Sequence, residues 1–180
     1  MQIILLTHER ELSRVTNTGK LALVHFPQYC RKVIWSRAQP DKPLQLACET
    51  GTAILLFPAS EVAEKPVNGF DDEISVKQQS GNKSVHHYER LTDIDSLAHK
   101  SIVILDATWQ EARKMMRQSP YLQQASKLSL STTARSQYQL RRNQLEGGLC
   151  TLECIALLFS HAGMSAEAKR LQQAFALHNG

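Results

Sequence analysis

Short aliphatic runs alternate along this chain with longer stretches whose apolar positions recur every three or four residues. Gln2 to Leu6, Leu21 to Phe26, Ala53 to Phe57 and Lys100 to Leu105 are almost continuous rather than alternating. Runs of that kind suit strands covered on both faces, as in a parallel sheet. Two of them stop at a proline, Pro27 and Pro58, and the last delivers Asp106. Lys127 to Leu130 is a further short candidate strand. Between them the period changes. Trp109, Ala112, Met115 and Met116 share one helical stripe over Thr108 to Gln118, and Ser119-Pro120 ends it.

The polar stretch His8 to Val15 predicts a short helix, and Asn17-Thr18-Gly19 a turn. Near the C-terminus Thr151 reads as an N-cap, with Glu153 in the first turn of an apolar helix, Leu152 to Ala162. Gly163 suits its C′ position. Ser165 then opens a helix through His178 that buries Ala168, Leu171, Phe175 and Leu177. Strands alternating with helices predict an α/β layered domain with a mostly parallel sheet and helices on both faces.

Composition narrows the class. The chain has 180 residues, 42% of them hydrophobic and 21% charged, which fits one globular domain over residues 1–180. Its longest apolar runs, such as Ile54 to Phe57 and Ile102 to Leu105, are far short of the ~20 residues a membrane span needs. The N-terminus lacks a basic leader region, so no signal peptide is expected. Four cysteines are too few for a secreted disulfide scaffold, which points to reduced thiols and the cytoplasm. There is no C-x-x-C pair, and Cys150 and Cys154 are four apart, so no metal site is expected. His86-His87 reads as a surface pair.

The net charge of +4 decides little until it is resolved along the chain. From Gln110 to Arg142 seven basic residues face one acid: Arg113, Lys114, Arg117, Lys127, Arg135, Arg141 and Arg142 against Glu111. From Ser60 to Ser75 the balance is −4. The basic strip starts beside Asp106, at the carboxyl end of a strand, where ligands of α/β sheets sit. An acid there beside a basic strip fits an enzyme acting on a polyanion. On spacing alone Asp106 fits a simple helix N-cap equally well, and the strip fits a solvated helix face. Leu145 to Thr151 is a glycine loop entering a helix, but it matches no nucleotide fingerprint.

Five ordered blocks resemble the DTW-domain family. Asp106-Ala107-Thr108-Trp109 matches its D-x-T-W signature. Leu5 to Glu11 followed by Asn17-Thr18-Gly19-Lys20-Leu21 resembles its H-x-x-E and N-T-G-x-L block. Leu55-Leu56-Phe57-Pro58, Ser136 to Arg142 and Leu149-Cys150-Thr151-Leu152-Glu153 resemble the F-P strand, the S-x-Y-x-x-R-R block and the T-L-E helix start. Against the family's pattern the chain is expected to be a single domain without the N-terminal cysteine module, and its H-x-x-E block has no proline after His8.

The resemblance implies a SPOUT-like fold with a C-terminal trefoil knot. It implies transfer of the 3-amino-3-carboxypropyl group from S-adenosylmethionine to N3 of a uridine in tRNA, without a metal. Under it Asp106 acts as a base or orients the uracil, with Thr108 and Trp109 beside it. Asp106→Ala is then expected to abolish transfer and leave the fold intact. The co-substrate falls to Leu56, Phe57, Pro58, Leu105, Leu128, Leu130, Gly148, Leu149, Thr151 and Glu153. RNA falls to His8, Arg10, Arg113, Lys114, Arg117, Arg135, Tyr138, Arg141 and Arg142. A SPOUT-type RNA methyltransferase, a non-catalytic RNA-binding module and an enzyme acting on a phosphorylated metabolite are the competing readings. Monomer and homodimer are both compatible with the sequence.

Overall fold

A computed structural model describes residues 1–58, the backbone of 88–90, and residues 99–130 and 149–179. Six strands, β1 (Gln2–Thr7), β2 (Cys30–Ile34), β3 (Ala53–Leu56), β4 (Tyr88–Arg90), β5 (Ser101–Asp106) and β6 (Ser126–Ser129), form one sheet in the order β2-β1-β5-β3-β6-β4. Every described pairing is parallel. All the carboxyl ends therefore lie along one edge. From β1 the sheet grows toward β2, and from β5 it grows the other way, toward β6. The chain thus switches direction between these adjacent strands, and such a point opens a crevice at the carboxyl ends. Thr7 and Asp106 are paired there.

The strand residues alternate between two apolar cores, one on each face. Ile3, Leu5, Ile54, Ile102, Ile104 and Leu128 pack beneath α1 (Gly19–His25), α5 (Thr151–His161) and α6 (Ser165–Asn179). Ile4, Leu6, Leu55 and Val103 pack beneath α2 (Lys42–Glu49), α3 (Trp109–Gln118) and α4 (Pro120–Gln124). Both faces being covered explains the unbroken aliphatic runs.

Several expectations change in detail. Leu21 to Phe26 is not a strand but the body of α1 and its C-cap. Gly19, Ala22 and Phe26 are its buried positions, a helical spacing that the continuous apolar letters conceal, and Val24 is exposed. His8 to Val15 holds only a single 3-10 turn, Glu9–Glu11. The N-cap of α5 is Cys150 rather than Thr151, whose position is the first helical one. Gly163 has the positive φ (73°) expected after that helix. In α6, Ala168, Leu171 and Phe175 are buried as the spacing requires, but Leu177 is exposed at the helix end. The acidic stretch 60–75 and His86-His87 lie outside the described residues.

Candidate active site

Asp106 ends β5 and is 2% exposed. Thr7 Oγ1 donates to its Oδ2 at 3.1 Å and Asn17 Nδ2 to the same oxygen at 2.8 Å. Thr151 Oγ1 donates to Oδ1 at 3.0 Å. One carboxylate thus ties together the end of β1, the turn before α1 and the start of α5. The turn is built for this. Asn17 Oδ1 accepts from Lys20 N while its amide nitrogen faces Asp106. Thr18 Oγ1 accepts from Leu152 N across to α5. A Cβ on Gly19 would stand 3.0 Å from Asp106 Oδ1 and 3.1 Å from Leu5 Cδ1, which accounts for a glycine at this close approach.

Asp106 does not cap α3. That role belongs to Thr108, in a reciprocal capping box with Glu111. Thr108 Oγ1 donates to Glu111 Oε2 at 2.8 Å, and Thr108 N to the same oxygen at 3.1 Å. Burial pushes the Glu111 carboxyl up. The Thr108 hydrogen bonds and the nearby Arg14 and His8 charges outweigh it and hold the group below its ordinary value. Arg14 pairs with Glu11 and also lies 3.7 Å from Glu111, so the loop after β1 is pinned to the start of α3. His8 is buried, with its ring stacked on Trp35 at 5.3 Å between centroids. Trp35 Nε1 in turn donates to Ser119 Oγ at 3.0 Å.

Beside these networks, over the carboxyl ends of β3, β5 and β6, lies a cavity of about 150 Å³. Leu56, Phe57, Pro58, Leu105, Leu130 and Leu149 give it apolar walls, and Trp109 closes one side from α3. Its polar wall side chains include Ser129 and Thr151. Such a mostly apolar cleft with few polar groups is suited to a small organic ligand. Of the residues expected to bind the co-substrate, these six and Thr151 line it. Leu128 instead lies fully buried in the core under α5. Glu153 Oε2 accepts from Cys150 N at 2.8 Å and so closes the start of α5. Gly148 lies outside the described residues.

Of the three residues expected at the reaction centre, only Trp109 lines the cavity. Thr108 caps α3, and Asp106 reaches the cavity wall through Thr151. Among the basic residues, Arg10, Lys114 and Arg117 are exposed and Arg113 is half-buried. Lys127 is 2% exposed, with Nζ donating to Gln123 O and Ala125 O, so it belongs to the interior and not to a phosphate surface. Arg135, Tyr138, Arg141 and Arg142 lie outside the described residues.

Thr7 and Asn17 carry no assigned role in the sequence reading, although both stand in the quoted blocks. A strand-end hydroxyl and an asparagine opening a turn were the available signals. Ser129 lies within the segment Leu128 to Leu130 expected at the co-substrate, and Ile104, Ala107, Ala112 and Cys154 also line the cavity without such an expectation. Burial pushes the thiol of Cys30 up to about 12 and those of Cys48 and Cys150 to about 11, which suits packing rather than nucleophilic chemistry. Among the described residues no group of three His, Cys, Asp or Glu side chains could hold a metal ion.

The model of the DTW domain matches residues 1–179. A tRNA-uridine aminocarboxypropyltransferase 2 from Macaca fascicularis is 25% identical over 162 residues, covering 88% of this chain and 46% of the relative. The protein of the same name from Mus musculus is 24% identical over the same share of each chain. The chain thus spans about half the length of these curated relatives. No solved structure matches it.

Proposed function

The chain belongs to the DTW-domain family, and from that premise we propose that it transfers the 3-amino-3-carboxypropyl group of S-adenosylmethionine to N3 of a uridine in tRNA. The observation that carries this reading is convergence. Four of the sequence blocks far apart in the chain meet at one place: Thr7 and Asn17 at the Asp106 carboxylate, and Phe57-Pro58, Ala107 with Trp109, and Leu149 with Thr151 at the adjoining cavity, Thr151 belonging to both. The relatives' names supply the reaction. The SPOUT-like fold and its C-terminal knot are part of the same proposal, and the parallel sheet with its site at the carboxyl edge supports the fold.

The donor set fits the co-substrate. Apolar walls and the Trp109 ring suit an adenine and the S-methyl group, and Ser129 and Thr151 add polar side chains to the wall. When bound, S-adenosylmethionine supplies an electrophilic carbon next to its sulfonium. The chain's task is then to present that carbon and not the methyl. Rigid walls at the strand ends do so by position. As the N–C bond forms and the C–S bond breaks, 5′-methylthioadenosine leaves and uridine N3 gives its proton to solvent. Asp106, the carboxylate assigned to this centre, acts through Thr151 and the turn it holds, so its contribution is positioning. Lys114 and Arg117, exposed on α3 beside the half-buried Arg113, are proposed to meet tRNA phosphates, with Arg10 on the loop after β1.

The reading is tested by mass spectrometry of tRNA nucleosides from cells lacking the gene. Loss of one aminocarboxypropyl-uridine is expected. An unchanged nucleoside profile would refute it.

A further inference from the structure

The Asp106–Thr151 contact has a consequence for what the cavity binds. Thr151 Oγ1 donates to Asp106 Oδ1 at 3.0 Å, so the hydrogen of its hydroxyl is committed to that contact. A threonine hydroxyl has one hydrogen and two lone pairs. With its hydrogen held by Oδ1, Thr151 can only accept from anything else that meets its oxygen. Thr151 also lines the cavity, whereas Asp106 does not. The carboxylate cannot turn to release it, because Oδ2 is held by Thr7 and Asn17.

We propose that Asp106 fixes the Thr151 hydroxyl as an obligate acceptor on the cavity wall, so that the site selects a ligand group bearing an N–H or O–H at that point. The inference rests on the functional reading above for its probes. Under that reading the donor is the ammonium of the aminocarboxypropyl arm, a ribose hydroxyl or the uracil N3–H. Thr151 is then a specificity determinant and Asp106 its positioning residue. Asp106→Ser or →Ala would only remove the lock, but Asp106→Asn reverses it. Thr7 and Asn17 keep the amide oxygen at the Oδ2 place, so the amide nitrogen faces Thr151, donates to it and turns its hydroxyl hydrogen free.

The test compares Thr151→Val, Thr151→Ser and Asp106→Asn by calorimetry with S-adenosylmethionine and with 5′-methylthioadenosine, which lacks the amino-acid arm. Transfer kinetics on tRNA are measured alongside. Thr151→Val keeps the side-chain shape and should lose up to about tenfold at the step that uses a neutral donor and about tenfold or more if the donor is the ammonium. Loss for S-adenosylmethionine alone identifies the ammonium. Equal loss for both nucleosides identifies the ribose. Unchanged binding of both with a fall in kcat/KM identifies the uracil. In each case Thr151→Ser should restore most of the loss. Asp106→Asn should lose at least as much at that same step, and adding it to Thr151→Val should cost nothing further there.

Thr151→Val behaving as the wild type in all three assays would overturn the inference. So would Thr151→Ser as impaired as Thr151→Val, which would assign the effect to the methyl group. Should Asp106→Asn fail to fold, the Thr151 pair still decides. Wild-type protein that bound neither nucleoside would remove the functional reading and this inference with it. Wild-type binding with no Thr151 dependence would remove the inference alone.

Discussion

Replacing Asp106 by alanine removes the shared acceptor of three buried donors. Thr7, Asn17 and Thr151 are 1%, 3% and 5% exposed, so water cannot readily take the carboxylate's place. A buried donor left without a partner costs about 1–3 kcal/mol. Thr7 has an alternative, since its hydroxyl already lies 3.3 Å from Leu5 O, and its share is small. Relief of the buried charge offsets part of the rest. The net expectation is a loss of about 3 kcal/mol, a large part of the 5–15 kcal/mol typical of a domain. The expectation that Asp106→Ala leaves the fold intact is therefore revised by the structure. Asp106→Asn keeps both bonds at Oδ2 and should lose only about 1–2 kcal/mol.

Urea unfolding followed by far-ultraviolet circular dichroism reads the difference. With a slope of about 1–3 kcal/mol/M, the alanine variant's midpoint should fall by roughly 1 M or more, and the asparagine variant's by about one to two thirds as much. An alanine variant within about 1 kcal/mol of wild type would refute the hub. So would an asparagine variant as unstable as the alanine one.

Three further outcomes follow from the same geometry. Gly19→Ala should cost about 1–3 kcal/mol by overpacking, because its Cβ would meet Asp106, Asn17 and Leu5 at 3.0–3.1 Å, and the same urea titration measures it. Glu111 sits below its ordinary value of 4.5 in the folded chain, so the stability it contributes is present above that value and lost as pH falls through the lower folded one. Wild type should lose more stability than Glu111→Gln on acidification from about pH 5 downward, and parallel curves would contradict this. Lys114→Gln with Arg117→Gln should flatten the salt dependence of tRNA binding by roughly one to two log units per log unit of salt, whereas buried Lys127→Gln should leave that slope as it is.

The parts of this architecture legible in the sequence are those in which a local pattern and a buried position coincide. The aliphatic runs of β1, β3 and β5 show themselves because both faces are covered. Asp106 shows itself by standing where a strand ends and a helix starts. α1 reads as a strand in the sequence because a two-sided burial pattern and a dense apolar helix share the letters Leu21 to Phe26. Only the tertiary placement of Ala22 and Phe26 under α6 and α5 separates them. β2 carries Arg31 and Lys32 and ends in exposed Ile34, as an edge strand does, so its pattern is too mixed to stand out. The cavity was largely readable through Phe57-Pro58, Trp109 and Leu149 to Thr151. What no one-dimensional pattern carries is which hydroxyls and amides converge on Asp106. Thr7 and Asn17 lie 99 and 89 residues from it along the chain. Lys127 shows the same limit in reverse. Its letter joins the basic strip, but its strand takes it into the interior, where backbone carbonyls receive it.

The most direct measurement supplies S-adenosylmethionine labelled either in the methyl carbon or in the aminocarboxypropyl carbons to the purified chain with tRNA, and follows the label into nucleosides. The account predicts aminocarboxypropyl label in a single uridine derivative and none from the methyl. Methyl label in the RNA, or no label from either with S-adenosylmethionine bound, would contradict it.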